Sequence, residues 1–226
     1  MTNLVPSENL SSTVTANSGI AGQAAHSWEA FNGAQLTWYR HLRNVLHHVP
    51  MLRTIWQLRP KRVLEVGTGT GSHSIFLSYF LPQVVSIDLS RPLIERCLQH
   101  NRRLRGRAHF SAMDGFRLAF PDGAFDVAFS QGLLEHFEGE EIARLLDEQT
   151  RVAQYVVFSV PNRSYGVRDF GDERLLSREE WEDLLSSMGY QVMVSRDYAP
   201  MRARFWRRSR DMYLALLRGH ADGSER

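Results

Sequence analysis

The spacing of apolar residues changes along the chain, and the changes mark its elements. Leu42, Val45, Leu46, Val49, Leu52, Ile55 and Leu58 recur at three- and four-residue intervals. That is the stripe of an amphipathic helix, and Pro50 predicts a break into two helices. Short apolar runs then alternate with helical patterns. Residues 62–66 (RVLEV), 83–88 (QVVSID), 108–114 (AHFSAMD), 124–131 (AFDVAFSQ) and 155–162 (YVVFSVPN) read as strands. Between them the pattern predicts helices over 72–80, after Ser90, and near 139–150. Ser90 is an N-cap with Pro92 in the first turn, and Ser177 caps a further helix that Gly189 ends. A sixth strand (190–198) and a seventh (211–219) have no comparable helix between them, so they are expected to be antiparallel.

Strands alternating with helices imply a mostly parallel sheet covered on both faces. The expected fold is therefore α/β and doubly wound. Residues 1–25 are rich in Ser, Thr, Asn and Gly and read as a mobile tail. Residues 26–60 form a helical segment, 61–220 the main domain and 221–226 a short tail. A hydrophobic content of 43% and a charged content of 23% are those of an ordinary soluble domain. The net charge of +2 excludes a surface that binds polyanions all over. Cys97 is the only cysteine, which excludes an intrachain disulfide and a cysteine-based zinc site. No basic-then-apolar leader and no run of ~18 apolar residues is present, so a cytoplasmic protein with no membrane partner is expected.

The chemistry gathers around Val63–Leu77, VLEVGTGTGSHSIFL. Glycines 67, 69 and 71 follow the first strand, where open parallel sheets bind ligands. The loop lacks the Gly-Lys-Ser/Thr of a phosphate loop, and its G-x-G-x-G spacing is not the dinucleotide G-x-G-x-x-G. Glu65, two residues before the first glycine, would repel pyrophosphate and suits an ammonium or sulfonium. Asp88 ends the second strand, where a carboxylate accepts from both ribose hydroxyls. Asp114 ends the third, where it can accept from an exocyclic adenine amine. Three acids on successive strand ends describe a site for a cationic nucleoside.

With VLEVGTGTG, Asp88 in VVSIDLS, the AMDG around Asp114, FDVAFSQGLLEHF and VVFSVPN in this order, the chain resembles the class I S-adenosylmethionine-dependent methyltransferases. It is most similar to their small type 11 group, over about residues 60–218. The resemblance implies a Rossmann-like methyltransferase fold: seven strands, the last reversed, here with an N-terminal helical lid. It implies S-adenosyl-L-methionine as cofactor. Glu65, Gly67, Thr68, Gly69, Gly71 and Gln131 would then lie by its methionine part, with Glu65 near the amino group directly or through water. Asp88 would take the ribose hydroxyls, Leu89 the adenine face, and Asp114 and Gly115 the adenine amine.

The acceptor side is less defined. His136, in LLEHF after the fourth strand, is the candidate base, and Glu135 its neighbour. Trp28, Phe31, Trp38 and Tyr39 either cover the cofactor and shape the acceptor pocket or seal a sheet face. Tyr165, Arg168, Phe170 and Arg174 are candidate pocket residues beyond the fifth strand. His47 and His48 are adjacent in a helix and are expected to face apart, and no metal site is expected. His73 lies just inside the loop helix. Amino-methyltransferases of nucleobases or glutamine carry Asn/Asp-Pro-Pro-aromatic after the fourth strand, and this chain does not. A small-molecule acceptor follows, a specialised metabolite being one class, moved to by O-, N- or C-methylation by a monomer or homodimer. The alternatives are an RNA-directed methyltransferase using the basic run 202–210, a nicotinamide-dependent oxidoreductase, and a non-catalytic partner subunit. No recognised nucleic-acid module accompanies the basic run.

Overall fold

The computed structural model of the chain describes residues 36–166, 173–199 and 210–219. The expected tails, Trp28, Phe31, Arg168, Phe170 and all of the basic run but Arg210 lie outside the described residues. The helices are α1 (Trp38–His47), α2 (Val49–Gln57), α3 (Ser72–Leu77), α4 (Arg91–Arg103), α5 (Gly139–Val152) and α6 (Arg178–Ser187). The strands are β1 (Arg62–Val66), β2 (Gln83–Asp88), β3 (His109–Ala112), β4 (Phe125–Gln131), β5 (Ala153–Pro161), β6 (Val192–Tyr198) and β7 (Met212–Arg218). The helix break falls at His48, where Pro50 takes a first-turn position that needs no N–H. Ser90 and Ser177 cap α4 and α6, and Ser177 shares a capping box with Glu180.

The strands form one sheet in the order β3-β2-β1-β4-β5-β7-β6. The first five are parallel, and β7 runs antiparallel between β5 and β6. The chain leaves β1 toward β2 on one side and returns to β4 on the other. The crevice between β1 and β4 is therefore where the winding reverses.

Strand alternation divides the core in two. Leu64, Ala128, Val156 and Phe158 face α5 and α6, where Ile142, Leu146, Trp181 and Leu185 are buried. Their neighbours Val63, Val127 and Val157 face the other way, with Met51, Leu52 and Ile55 of α2 and Leu77 of α3. The stripe predicted over residues 42–58 is only partly core: Val45, Leu52 and Ile55 are buried, whereas Leu42 and Leu46 face solvent.

Arg151 fastens the β3–β4 connection to α5. It pairs with both oxygens of Glu148 at 2.8 Å and donates to the carbonyls of Leu118 and Phe120. Glu148 in turn accepts from the Leu118 N–H at 2.6 Å. Arg151→Met would strand these partners, each partly buried. The expected cost is about 2 kcal/mol, read as a lower urea midpoint at unchanged slope.

Candidate functional site

The carboxyl ends of β1, β2, β3 and β4 share one edge of the sheet. Gly67, Gly69 and Gly71 turn the chain from β1 into α3, each with positive φ (81°, 52° and 75°). L side chains rarely adopt this backbone. Space also requires glycine. A Cβ on Gly67 would lie 3.2 Å from the Leu133 side chain, and one on Gly71 would lie 3.1 Å from Cys97 Sγ and from the Phe110 ring. Gly67 and Thr68 donate to the Ile87 carbonyl, which stitches the loop to β2.

Asp88 ends β2 beside this loop. Its Oδ1 accepts from the Ser90 N–H at 3.0 Å. Burial pushes its carboxyl up from the ordinary value, and backbone N–H groups of Ser90, Gly69 and Thr68 pull it part of the way back. The Met113 N–H donates to the Asp88 carbonyl, so the end of β3 is carried in with it. Asp114 is exposed, and its Oδ1 accepts from Phe116 N. Leu89, which follows Asp88, is 66% exposed. Leu89 thus presents an apolar side chain to solvent next to the Asp88 carboxylate. A Cβ on Gly115 would come within 3.1 Å of Val66 Cγ1.

Glu65 sits differently from the other acids. It is 1% exposed. Its Oε2 accepts from Ser86 Oγ at 2.8 Å, and Ser86 Oγ lies 2.7 Å from Thr68 Oγ1. Its Oε1 is 3.6 Å from His73 Nδ1. The Nε2 of His73 is buried with no hydrogen-bond partner among the described residues. Ser86 was not singled out in the sequence; a lone hydroxyl inside the apolar run QVVSID is its only signal there.

Histidines fix the N-terminal helices to this loop. His41 Nδ1 is 3.0 Å from Ser72 Oγ, and Ser72 Oγ donates to the His41 carbonyl. Asn44 Nδ2 donates to Thr70 Oγ1. His100 Nδ1 lies 3.2 Å from the Thr70 carbonyl, and its Nε2 accepts from Leu36 N. His48 packs edge-on against His73 at 5.1 Å, its Nδ1 2.9 Å from the Tyr198 hydroxyl. Tyr198 in turn reaches Ser159 Oγ at 2.7 Å. Burial holds His41 down to about 4 and His48 and His100 below the ordinary imidazole value; His73 adds to the effect on His41 and His48. The expectation that His47 and His48 face apart fails. Their rings lie 4.8 Å from one another because the helix breaks between them. Among the described residues no group of three His, Cys, Asp or Glu could hold a metal ion.

On the acceptor side, Gln131 ends β4 opposite Ser159 of β5. Gly132 then turns with φ 64°, Leu133 packs over Gly67, and a single helical turn carries Glu135 and His136. His136 Nε2 lies 3.9 Å from Glu135 Oε1, both side chains nearly buried. Arg174 donates from its backbone N–H to the Glu135 carbonyl and from Nη1 to the Phe137 carbonyl. Tyr165 packs, partly buried, against the core face shared with α2. Trp38 and Tyr39 are 60% and 68% exposed, so neither seals the sheet. A cavity lined by Arg62, Asp126, Gln154 and Arg218 lies at the opposite edge, by the amino ends of β1, β4 and β5.

A doubly wound sheet with one reversed strand, and an acidic glycine-lined edge at its switch point, is an α/β domain with its crevice where such sheets take ligands. Residues 63–154 match the family model described as "Methyltransferase domain". That segment is less than half of the chain, and over it the chain is similar to methyltransferase domains. It is 34% identical over 83 residues to phosphoethanolamine N-methyltransferase 3 of Arabidopsis thaliana, covering 36% of this chain and 17% of that protein. It is 37% identical over 71 residues to demethylmenaquinone methyltransferase of Thermus thermophilus, covering 30% of this chain and 32% of that protein. The chain thus spans a third or less of the length of these relatives. Among solved structures it resembles magnesium protoporphyrin IX methyltransferase from Synechocystis with bound SAH. The TM-score is 0.62 at 15% identity, over 87% of this chain and 94% of that one.

Proposed function

We propose that the protein is an S-adenosylmethionine-dependent methyltransferase that transfers a methyl group to an O, N or C atom of a small-molecule acceptor. The observation that carries this reading is the exposed Leu89 next to Asp88, on the strand-end edge that Asp114 shares, beside a loop whose Gly67 and Gly71 leave no room for side chains. Asp88 accepts from the ribose hydroxyls, Leu89 covers one adenine face, and Asp114 accepts from the adenine amine. The backbone of the glycines lines the methionine part, with Gln131 at its far side, and Thr68 holds the loop from within through Ser86. Glu65 is committed to Ser86 and faces His73, so its negative charge reaches the ammonium through water or through the imidazole.

The bound cofactor supplies an electrophilic methyl on a sulfonium with a good leaving group. What remains for the protein is alignment and exclusion of water, worth about 7–11 kcal/mol in favourable cases. The turn 131–136 closes over the loop through the Leu133–Gly67 contact, and Arg174 holds its other side. His136 stands there as the candidate base for an acceptor that must lose a proton. Two relatives carry small acceptors in their names, phosphoethanolamine and demethylmenaquinone, and another a protein lysine.

Calorimetry tests the reading. S-adenosylhomocysteine is expected to bind with a dissociation constant in the micromolar range, on the order of −8 kcal/mol, and NAD not at all. Binding of NAD alone would transfer the site to the oxidoreductase class.

A further inference from the structure

Helix α1 is oriented unusually for a surface helix. Its inward side carries His41, Asn44, Val45 and, at its end, His48, which reach the cofactor loop, α3 and β6. Its outward side carries Trp38, Tyr39, Leu42 and Leu46, all exposed. These positions recur at three- and four-residue spacing and so share one face. A monomer ordinarily turns such a stripe to its core.

The apolar surface continues beyond α1. At the surface Tyr79 meets Phe80 and Phe80 meets Trp56, with ring centroids 6.3 and 5.9 Å apart, and beneath it the buried His41 links Tyr79 to Trp38 at 6.3 and 5.5 Å. Phe80 and Trp56 are exposed, so six of the eight exposed large hydrophobic residues among those described lie on this face. Its charges are of one sign. No Asp or Glu occurs between Glu29 and Glu65, while Arg40, Arg43, Arg53, Arg59 and Lys61 do, all exposed. Arg107 is pinned beside Tyr79, donating to the Ser78 and Tyr79 carbonyls. Contiguous exposed apolar surface marks an interaction site, and basic residues around exposed Trp, Phe and Leu are the composition of an interfacial helix.

We propose that the face formed by α1, the exposed side of α2 and the end of α3 docks on an anionic lipid surface. Leu42, Leu46, Trp56 and Phe80 enter the headgroup–acyl boundary, and Arg40, Arg43, Arg53 and Arg59 meet the lipid phosphates. The exposed leucines Leu42 and Leu46 find a place in a bilayer, whereas the bases of a nucleic acid would stack on the aromatic rings alone. No helix among the described residues is long and apolar enough to cross a membrane, and interfacial docking needs none. Because α1 also holds Thr70 and Ser72, the docked protein keeps its candidate cofactor cleft next to the interface. The inference does not depend on the methyl-transfer reading.

Sedimentation with extruded vesicles tests it, using the full chain. Vesicles of phosphatidylcholine with phosphatidylglycerol are expected to bind the wild type at least ~10-fold better than phosphatidylcholine alone, and added salt to release it. The doubles Leu42→Ser/Leu46→Ser and Arg43→Gln/Arg53→Gln should each weaken binding about 10-fold. Both should retain the wild-type circular dichroism spectrum and affinity for S-adenosylhomocysteine, since these side chains face outward. A wild type that ignores the mixed vesicles, or doubles that bind like the wild type, overturns the proposal whatever the cofactor result. So does a dimer in light scattering that Leu42→Ser/Leu46→Ser dissolves, which gives the face to a second copy. Binding of single-stranded RNA in place of vesicles, lost in the same doubles, overturns it in favour of a nucleic acid.

Discussion

Asp88→Ala is expected to weaken S-adenosylhomocysteine binding by about 100-fold while leaving the protein folded. Two hydroxyls donating to one carboxylate form charge-assisted bonds, and losing them costs about 3 kcal/mol, which is roughly two decades in affinity. Folding tolerates the change because the same carboxylate is a burden to the free protein. Burial pushes its proton affinity up, and only backbone N–H groups of Ser90, Gly69 and Thr68 offset that. Removing the side chain forfeits the Ser90 contact and relieves the desolvation. Asp88→Asn keeps an acceptor for Ser90 and should lose only about 10-fold, since one ribose bond survives without its charge. Calorimetry on all three proteins, with melting curves alongside, gives the comparison. Wild-type affinity in Asp88→Ala would place the ribose elsewhere and remove the central support for the nucleoside reading. A parallel collapse of melting temperature and affinity would make Asp88 a structural cap.

The strands were legible because their pattern is local. β1 and β2 fall at 62–66 and 83–88 as read, and the reversed β7 follows from the missing helix between the last two strands. Caps at Ser90 and Ser177 were equally plain, since capping is settled within four residues. The glycine loop and the strand-end acids could be placed because a doubly wound sheet carries its parallel strand ends to one edge. What tertiary contact decides was not visible. Glu65 reads as a ligand-facing carboxylate in isolation, and only the packing of Ser86 and His73, 21 and 8 positions away, turns it inward. The stripe over 42–58 predicts amphipathic helices without saying which of its apolar residues tertiary packing covers. In the fold, histidines take part of the buried side, and Leu42 and Leu46 rotate outward. Contacts such as His48 to Tyr198, 150 positions apart, leave no periodic trace.

Those histidines make stability depend on pH in a definable window. His41, His48 and His100 are buried, and each titrates lower in the fold than in the open chain. Below about 6.5 the unfolded chain takes up protons that the fold refuses, so stability falls with falling pH. The loss begins near 6.5 and, for His41, is complete near its folded value of about 4. With a shift of that size His41 alone accounts for about 3 kcal/mol at most. Glu148 and Asp126 act in the same direction further into acid, being held below their ordinary values by Arg151 and by the Lys61 and Arg62 backbone. Asp88 acts in the opposite direction, because its raised carboxyl gains a proton more readily in the fold. Three histidines outweigh one carboxyl, so the melting temperature is expected to be flat between pH 7 and about 8 and to drop steeply between about pH 6.5 and 4.5, on the order of 10 °C for a few kcal/mol. His41→Asn places an amide where Nδ1 meets Ser72 and does not titrate, so it should flatten the slope while costing little at pH 8. Equal slopes in the wild type and His41→Asn would mean that the acid sensitivity resides elsewhere. Since His41, His48 and His100 all bear on the loop from Thr70 to His73 or its flank, protonation is expected to loosen cofactor binding before global unfolding. Affinity for S-adenosylhomocysteine should therefore decline at a higher pH than the circular dichroism signal, and the reverse order would mean that the helices leave the loop only when the whole sheet opens.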